Sequence, residues 1–273
     1  MPDPTPTYLI AELGSTWAGD PERAAALIHQ AADAGFDAVK FHWTSNPARL
    51  ATRRNAPELA PAYQGLAWPA AWHAEFAEEC QREGVEYMST AYLPEDIAVV
   101  APHVSRFKIA SFEATDEAFL SAHAGYGKPV LVSTGMHSED DLFDIAALLN
   151  SKRMDWTMLH CVSSYPAPVD QVNLAAIGRR DNGCDVLGFS DHTAHVLTGA
   201  CAVAAGAEVI EVHVRLDDTD PLSPDYGHSL TPEQFREYAA NCRIAESMMG
   251  SGEKRVMDCE RPNLRYQVRG DQP

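Results

Sequence analysis

Eight short apolar runs recur along the chain, most of them separated by room for a helix, and this rhythm constrains the fold more than any single residue. The runs span 8–13, 38–42, 85–92, 106–111, 130–134, 156–162, 186–190 and 209–214. Amphipathic stretches lie between them, among others at 21–34, 69–83, 138–150 and 196–205, and a last one opens at Thr231-Pro232-Glu233 and runs to about Met249. Such alternation is the pattern of βαβ units in a parallel sheet. Eight of them predict an α/β fold closed as a (β/α)8 TIM barrel in a single domain, with an open doubly wound sheet as the competing arrangement. The length of 273 residues suits the barrel, which takes about 250. Pro21 and Pro69 sit where a first helical turn tolerates proline, Gly35 and Gly84 where helices end, and Ser138 with Asp141 forms a capping box with Asp in place of Glu. The barrel is expected over 1–249, followed by a polar, turn-rich tail over 250–273. The connection 43–68, rich in Pro, Asn and Arg, is long for a compact domain and reads equally as a binding loop or as an unstructured insert.

Charge and composition narrow the function. The formal net charge is −18, so the surface as a whole repels nucleic acid and anionic membranes, and an anionic substrate needs a local nest of positive charge. No apolar run approaches the roughly 20 residues of a membrane span, and the opening Met1-Pro2-Asp3-Pro4 does not read as a signal peptide. The six cysteines show no C-x-x-C pairs, which makes a reduced, cytoplasmic setting the expectation.

The strands carry polar residues where a parallel barrel wants apolar ones. Glu12, Lys40 and Lys108 lie towards the C-terminal ends of their runs, and the chain has only five lysines. Burying two of them demands anionic partners. The C-terminal strand ends of barrel enzymes build the active site, which supplies the reason. In the last run, alternation sets Glu211, His213 and Arg215 on one face and Ile210, Val212 and Val214 on the other, so the polar face points into the barrel. His192 follows the preceding run. Convergence of His192 and His213 on one rim would suit a divalent metal; either alone reads more readily as a hydrogen-bonded barrel-mouth histidine, and the shared rim makes the two readings of the pair about even. His29, His73, His103 and His123 are expected at the solvated surface. Ser89-Thr90, Ser111, Ser133-Thr134-Gly135, Ser163-Ser164 and Ser190 close five consecutive strands, and such hydroxyls beside lysines make a cradle for phosphate and carboxylate.

Seven segments in order, Ile10-Ala-Glu-Leu-Gly14, Ala38-Val-Lys-Phe41, Lys108-Ile-Ala-Ser111, Ser133-Thr-Gly-Met136, Leu159-His-Cys-Val-Ser-Ser-Tyr-Pro166, Ser190-Asp-His-Thr193 and Glu211-Val-His213, resemble the sialic acid synthase family. The resemblance implies a TIM barrel that condenses phosphoenolpyruvate with an aldehyde, usually N-acetylmannosamine or a relative, and releases phosphate. It also implies a divalent ion, Mn²⁺ or Mg²⁺, as cofactor. By motif, Lys40, Thr90, Lys108, Ser111, Ser133, Ser163 and Ser190 would hold phosphoenolpyruvate, and His192 and His213 the metal. Glu12 would face the reacting aldehyde, while Glu113, Tyr165 and Asp225 would lie on the acceptor side. The chain departs from the family at Ser15-Thr-Trp-Ala-Gly19, where Asn-His-Asn-Gly is usual, at His42 in place of Gln, and at Ser223-Pro-Asp225 in place of Gly-Pro-Asp. The C-terminal antifreeze-like domain of the family is expected to be absent, with Glu260-Arg-Pro-Asn-Leu-Arg265 resembling its linker. These departures point to an acceptor other than N-acetylmannosamine, and to a homodimer or a separate lid-supplying protein as partner. A Schiff-base aldolase using Lys108 or Lys40 and a catalytically silent sugar-phosphate- or partner-binding barrel are the alternatives.

Overall fold

The eight apolar runs all become strands. In the computed structural model, which describes residues 6–178 and 186–268, they are β1 (Tyr8–Glu12), β2 (Ala38–Trp43), β3 (Glu86–Ala91), β4 (Phe107–Ile109), β5 (Val130–Ser133), β6 (Trp156–Cys161), β7 (Val186–Asp191) and β8 (Val209–His213). Every ladder is parallel, in the order β3-β2-β1-β8-β7-β6-β5-β4, and the two end strands β3 and β4 lie side by side. The result is a (β/α)8 barrel rather than an open doubly wound sheet. Cys184 and the opening Met1-Pro2-Asp3-Pro4 lie outside the described residues.

Among the described residues eight α-helices accompany the strands: α1 (Pro21–Asp33), α2 (Pro47–Arg53), α3 (Trp72–Glu83), α4 (Pro94–Val100), α5 (Glu117–Ala124), α6 (Glu139–Ser151), α7 (Thr198–Ala205) and α8 (Pro232–Met249). Local chemistry explains their ends. Asp20 caps α1 ahead of Pro21, and Gly84 ends α3 in the left-handed region. Ser138 and Asp141 form the expected capping box of α6, and Thr231 with Gln234 forms another on α8. Helix α3 starts three residues after Pro69, and 43–68 is neither unstructured nor a simple loop, since α2 and two 3-10 turns (Pro57–Leu59, Ala62–Leu66) fold it. Between β6 and β7 the described residues hold only two 3-10 turns, Val169–Gln171 and Leu174–Ala176. Beyond α8, residues 251–268 are exposed and include a 3-10 stretch, Asp258–Tyr266. Among the described residues no helix is long and apolar enough to cross a membrane.

Strand alternation sorts the core into two parts. Outward-facing residues such as Val39, Phe41, Ile210 and Val212 pack against the helices, while Ile10, Ala38, Met88, Leu131, Leu159 and Val209 plug the barrel interior. Gly188 makes room for that plug, because a Cβ there would lie 2.7 Å from Leu159 Cγ. Two of the histidines expected on the surface are buried instead. His73 Nδ1 is 2.7 Å from the Tyr87 hydroxyl, and His123 Nδ1 donates to Phe119 O (2.8 Å). Both sit on the inward faces of their helices.

Helices α7 and α8 approach closely at Gly199, where an added Cβ would meet Tyr238 Cζ at 2.4 Å. Gly199→Ala is therefore expected to destabilise the fold by about 1–3 kcal/mol in chemical denaturation. Gly227→Ala, with no atom within 4 Å of the new methyl, should change stability by less than about 0.5 kcal/mol.

Candidate active site

Directly above the apolar plug, the next inward layer of the barrel is ionic. Register aligns Glu12 with Lys40 and Ser190 with Glu211. Lys40 Nζ contacts Glu12, lies 3.5 Å from Glu211 Oε2 and donates to Thr90 Oγ1 (3.1 Å). Lys108 Nζ lies 3.5 Å from Glu211 Oε1, which also accepts from Ser190 (3.0 Å). All four charged side chains are buried. Two ammonium groups face two carboxylates, so the layer is formally neutral, and the lysines bring no surplus charge to a ligand. Burial on its own would raise both carboxyls, yet His42 and Lys40 overcome this at Glu12, and Lys108 and Lys40 at Glu211, holding each at about 2. Lys40 is held above the ordinary lysine range because its two glutamates outweigh desolvation, whereas for Lys108 burial wins and lowers it. The two lysines thus differ. Lys40 is saturated with partners, while Lys108 has only long contacts, to Glu211 and to Ile109 O at 3.4 Å, and keeps donors free.

This layer floors a cavity of about 310 Å³ at the C-terminal ends of the strands. Lys40, Lys108, Ser111, Ser133, Tyr165, Ser190, His192, His213 and Asp225 all line it. Ser133 Oγ is buried with no hydrogen-bond partner, and Ser111 Oγ accepts from the Gly135 N–H (3.0 Å). Ser163 lies behind Gly135, whose missing side chain leaves space that a Cβ would fill at 2.2 Å from Ser163 Oγ. Glu12 and Thr90 are buried behind Lys40 and are not among the lining residues. Glu12 reaches the cavity through His42, whose Nε2 lies 3.4 Å from Glu12 Oε2. Glu113 is held in a fork by Arg54, at 2.8 Å and 3.0 Å.

Arg54, His42, Glu211 and His228 were not singled out as site residues from the sequence, although Glu211 was placed on the inward face and His42 marked as a departure. Arg54 comes from the end of α2, in the connection after β2. That connection is pinned at its base, where Trp43 Nε1 donates to Trp68 O (2.9 Å) and Trp68 Nε1 to His42 O (3.0 Å). Trp17 packs edge-on against Phe41, Trp68 and Phe76, which ties the loop after β1 to the same anchor. The segment between the anchors supplies Arg54, Ala62, Tyr63 and Leu66 to the cavity wall, with the guanidinium stacked over Tyr92 and Phe112 at 4.7 Å each.

Opposite this wall, the rim is rich in imidazoles. The His192 and His213 rings are 5.4 Å apart, and His213 and His228 4.4 Å. His192 Nδ1 is 3.0 Å from Val162 O, which as a donor it satisfies, leaving Nε2 for a ligand. His213 Nδ1 and His228 Nε2 are buried without hydrogen-bond partners. Burial, together with the neighbouring His228, holds His213 well below the usual histidine range, in the neutral form that binds metals. Asp225 accepts from the Ser15 N–H (2.6 Å). These donors fit a divalent cation of borderline softness.

Two outcomes follow from the floor and the cradle. The folded carboxyls Glu12 and Glu211 lie below their unfolded value of 4.5, so their contribution to stability is complete above that pH and is lost as pH falls towards about 2. Urea midpoints should therefore decline between about pH 5 and 3. Gly135→Ala, whose methyl would lie 2.2 Å from Ser163 Oγ, should lower stability in chemical denaturation by about 1–3 kcal/mol, the cost of overpacking.

The NeuB family profile matches residues 27–254. The chain is 34% identical to pseudaminic acid synthase of Campylobacter jejuni, over 96% of this chain and 79% of that protein. It is 32% identical to N,N'-diacetyllegionaminic acid synthase of Legionella pneumophila, over 93% and 76%. The crystal structure of N-acetylneuraminic acid synthetase from Leptospira borgpetersenii, in complex with citrate, superposes with a TM-score of 0.87 at 25% identity, covering 96% of this chain and 91% of that one. With the profile spanning most of the barrel and the fold shared throughout, the chain belongs to the NeuB family.

Proposed function

We propose that this chain condenses phosphoenolpyruvate with the aldehyde carbon of a sugar or sugar-like acceptor, giving a 2-keto acid and inorganic phosphate. Its relatives are named as synthases of pseudaminic acid, N,N'-diacetyllegionaminic acid and N-acetylneuraminate-9-phosphate, and the chain is a phosphoenolpyruvate-dependent synthase of their family. The observation that carries the reading is the compensated Glu12–Lys40–Glu211–Lys108 layer beneath a cavity edged by Ser111, Ser133 and Ser190. Lys108 has ammonium donors free for an anion, and the unpaired Ser133 hydroxyl is a ready contact.

In the reaction, C3 of phosphoenolpyruvate forms a bond to the aldehyde carbon, water adds at C2, and the tetrahedral intermediate expels phosphate. Lys108, Ser111, Ser133, Ser163 and Ser190 fix the anionic end, so that C3 meets the aldehyde without a search. Lys40, part of that floor, is held in place from behind by Thr90 and Glu12. His42 stands at the cavity face of Glu12 and is the group through which a proton reaches or leaves the acceptor side, with Glu12 orienting it. A divalent ion, Mn²⁺ or Mg²⁺, held by His213 with His192 or His228, would supply Lewis acidity at the acceptor's carbonyl oxygen. Tyr165 and Asp225, with Arg54 held by Glu113, shape the acceptor side. The wall of Arg54, Tyr63, Tyr92 and Phe112 and the changes at Ser15 and His42 favour an acceptor other than N-acetylmannosamine.

One observation favours a second chemistry. Burial lowers Lys108, the direction an amine nucleophile needs, so borohydride trapping of pyruvate on the protein would indicate a Schiff-base aldolase instead. The synthase reading expects none. It expects phosphate release when phosphoenolpyruvate, Mn²⁺ and a suitable aldose are mixed, and its loss with EDTA. Lys108→Ala should weaken phosphoenolpyruvate binding by about 2–3 kcal/mol, the worth of a charge-assisted contact. Binding without phosphate release across a broad aldose screen would mark a silent binding barrel.

A further inference from the structure

The turn between β5 and α6 carries backbone strain. Met136 has a φ of +68°, in the left-handed region that a residue with a side chain seldom adopts. Its side chain is 61% exposed, so packing does not compensate for that conformation. Strain of this kind persists only where surrounding bonds impose it. Both ends of the turn are fixed. Thr134 directs its N–H and its hydroxyl to Leu159 O, at 3.1 Å each, and Ser138 caps α6. Between these ends His137 straps the turn, its Nδ1 2.6 Å from Gly135 O. A carbonyl only accepts, so Nδ1 is the donor.

Gly135 is the joint of this turn. Its carbonyl faces His137, and its N–H donates to Ser111 Oγ (3.0 Å). Its backbone is also pressed against the cradle, since a Cβ there would lie 2.2 Å from Ser163 Oγ, 3.1 Å from Ser111 Oγ and 3.2 Å from Cys161 Sγ. Glycine has no side chain to restrict its rotation, so its orientation depends on the bonds made at its two peptide groups. Ser111 accepts from Gly135, which leaves the hydroxyl proton as the group that Ser111 can donate. Ser133, whose buried hydroxyl has no partner, ends β5 just before the same turn. His137 itself is not among the residues that line the cavity, so any effect on a ligand passes through Gly135.

We propose that His137 is a positioning residue for the phosphoenolpyruvate cradle: by holding Gly135 O it keeps the strained turn after β5 in the form that presents the Gly135 N–H to Ser111. The proposal rests on the reading of the cavity as a phosphoenolpyruvate site. Without the strap, Met136 relaxes towards negative φ, Gly135 turns with it, and the Ser111 hydroxyl loses the bond that orients it. An anion then has to order the turn as it binds, and affinity falls by that cost.

The test is calorimetric titration of the full chain with phosphoenolpyruvate, for the unaltered protein and for His137→Ala, His137→Gln and His137→Asn, with a urea midpoint for each to verify folding. Asparagine places an amide N–H close to the position of Nδ1, whereas glutamine carries it one methylene further out. His137→Ala and His137→Gln should weaken binding by about tenfold, as loss of one hydrogen bond does. His137→Asn should stay within about threefold, because the bond is kept. Equal losses in His137→Gln and His137→Asn, or undiminished affinity in His137→Gln, overturn the proposal. Should His137→Ala fail to fold, the other two variants decide. A second readout needs no ligand: hydrogen exchange at the Gly135 amide should quicken by about tenfold in His137→Gln and not in His137→Asn, as loss of local protection requires. Identical exchange in the two variants refutes the strap. If exchange follows the expected pattern but the unaltered protein binds no phosphoenolpyruvate, the functional reading fails while the hold of His137 on Gly135 stands.

Discussion

Four buried charges in alternating sign govern this molecule. An unpaired lysine or glutamate in the barrel would be too costly to retain in its charged form. Glu12, Lys40, Glu211 and Lys108 come from four strands, and each compensates its neighbours only if those strands stand in the observed register. A slip of one residue would turn the side chains of a strand to the opposite face. The ionic layer therefore ties register to electrostatics, and the apolar plug beneath it keeps water from that side. What remains open is the side towards the strand ends, where the cavity lies.

That cavity has walls of two different kinds. One is built from strand ends and the turns directly after them, and carries the hydroxyls and imidazoles. The other is a folded insert between β2 and α3 that stands on a base of tryptophans. Trp17, Trp43, Trp68 and Trp72 with Phe41 and Phe76 form a continuous aromatic footing. Arg54 projects from this insert and neutralises Glu113, which would otherwise be a buried carboxylate without a counter-charge. The rigidity of the wall thus comes from apolar packing well away from the cavity.

The sequence made much of this legible, for a physical reason. Strand alternation has a period of two, so a polar residue inside an apolar run shows both its depth and its face, and Glu12, Lys40, Lys108, Glu211 and His213 could be placed before any coordinates. Hydroxyls at successive strand ends were readable in the same way. The partners were not. That Glu211 serves two lysines, that Arg54 grips Glu113, or that His228 meets His213 depends on contacts between residues far apart in the chain, which no local pattern encodes. The seven-residue helix α2, inside the stretch that reads as a connection, is not legible because it completes barely two turns of periodicity. His73 and His123 were misplaced for a related reason. A histidine on a helix is polar by composition, yet a single hydrogen bond, shared with a hydroxyl or donated to a carbonyl, suffices to let it be buried.

The insert after β2 enters and leaves the barrel at nearly the same place, since Trp43 and Trp68 bond to each other's surroundings. A segment tethered in this way can lengthen, shorten or change its composition between the tethers without disturbing strand register. One wall of the cavity can thus be exchanged as a single tethered cassette, while the charged floor and the hydroxyls at the strand ends keep their places below it.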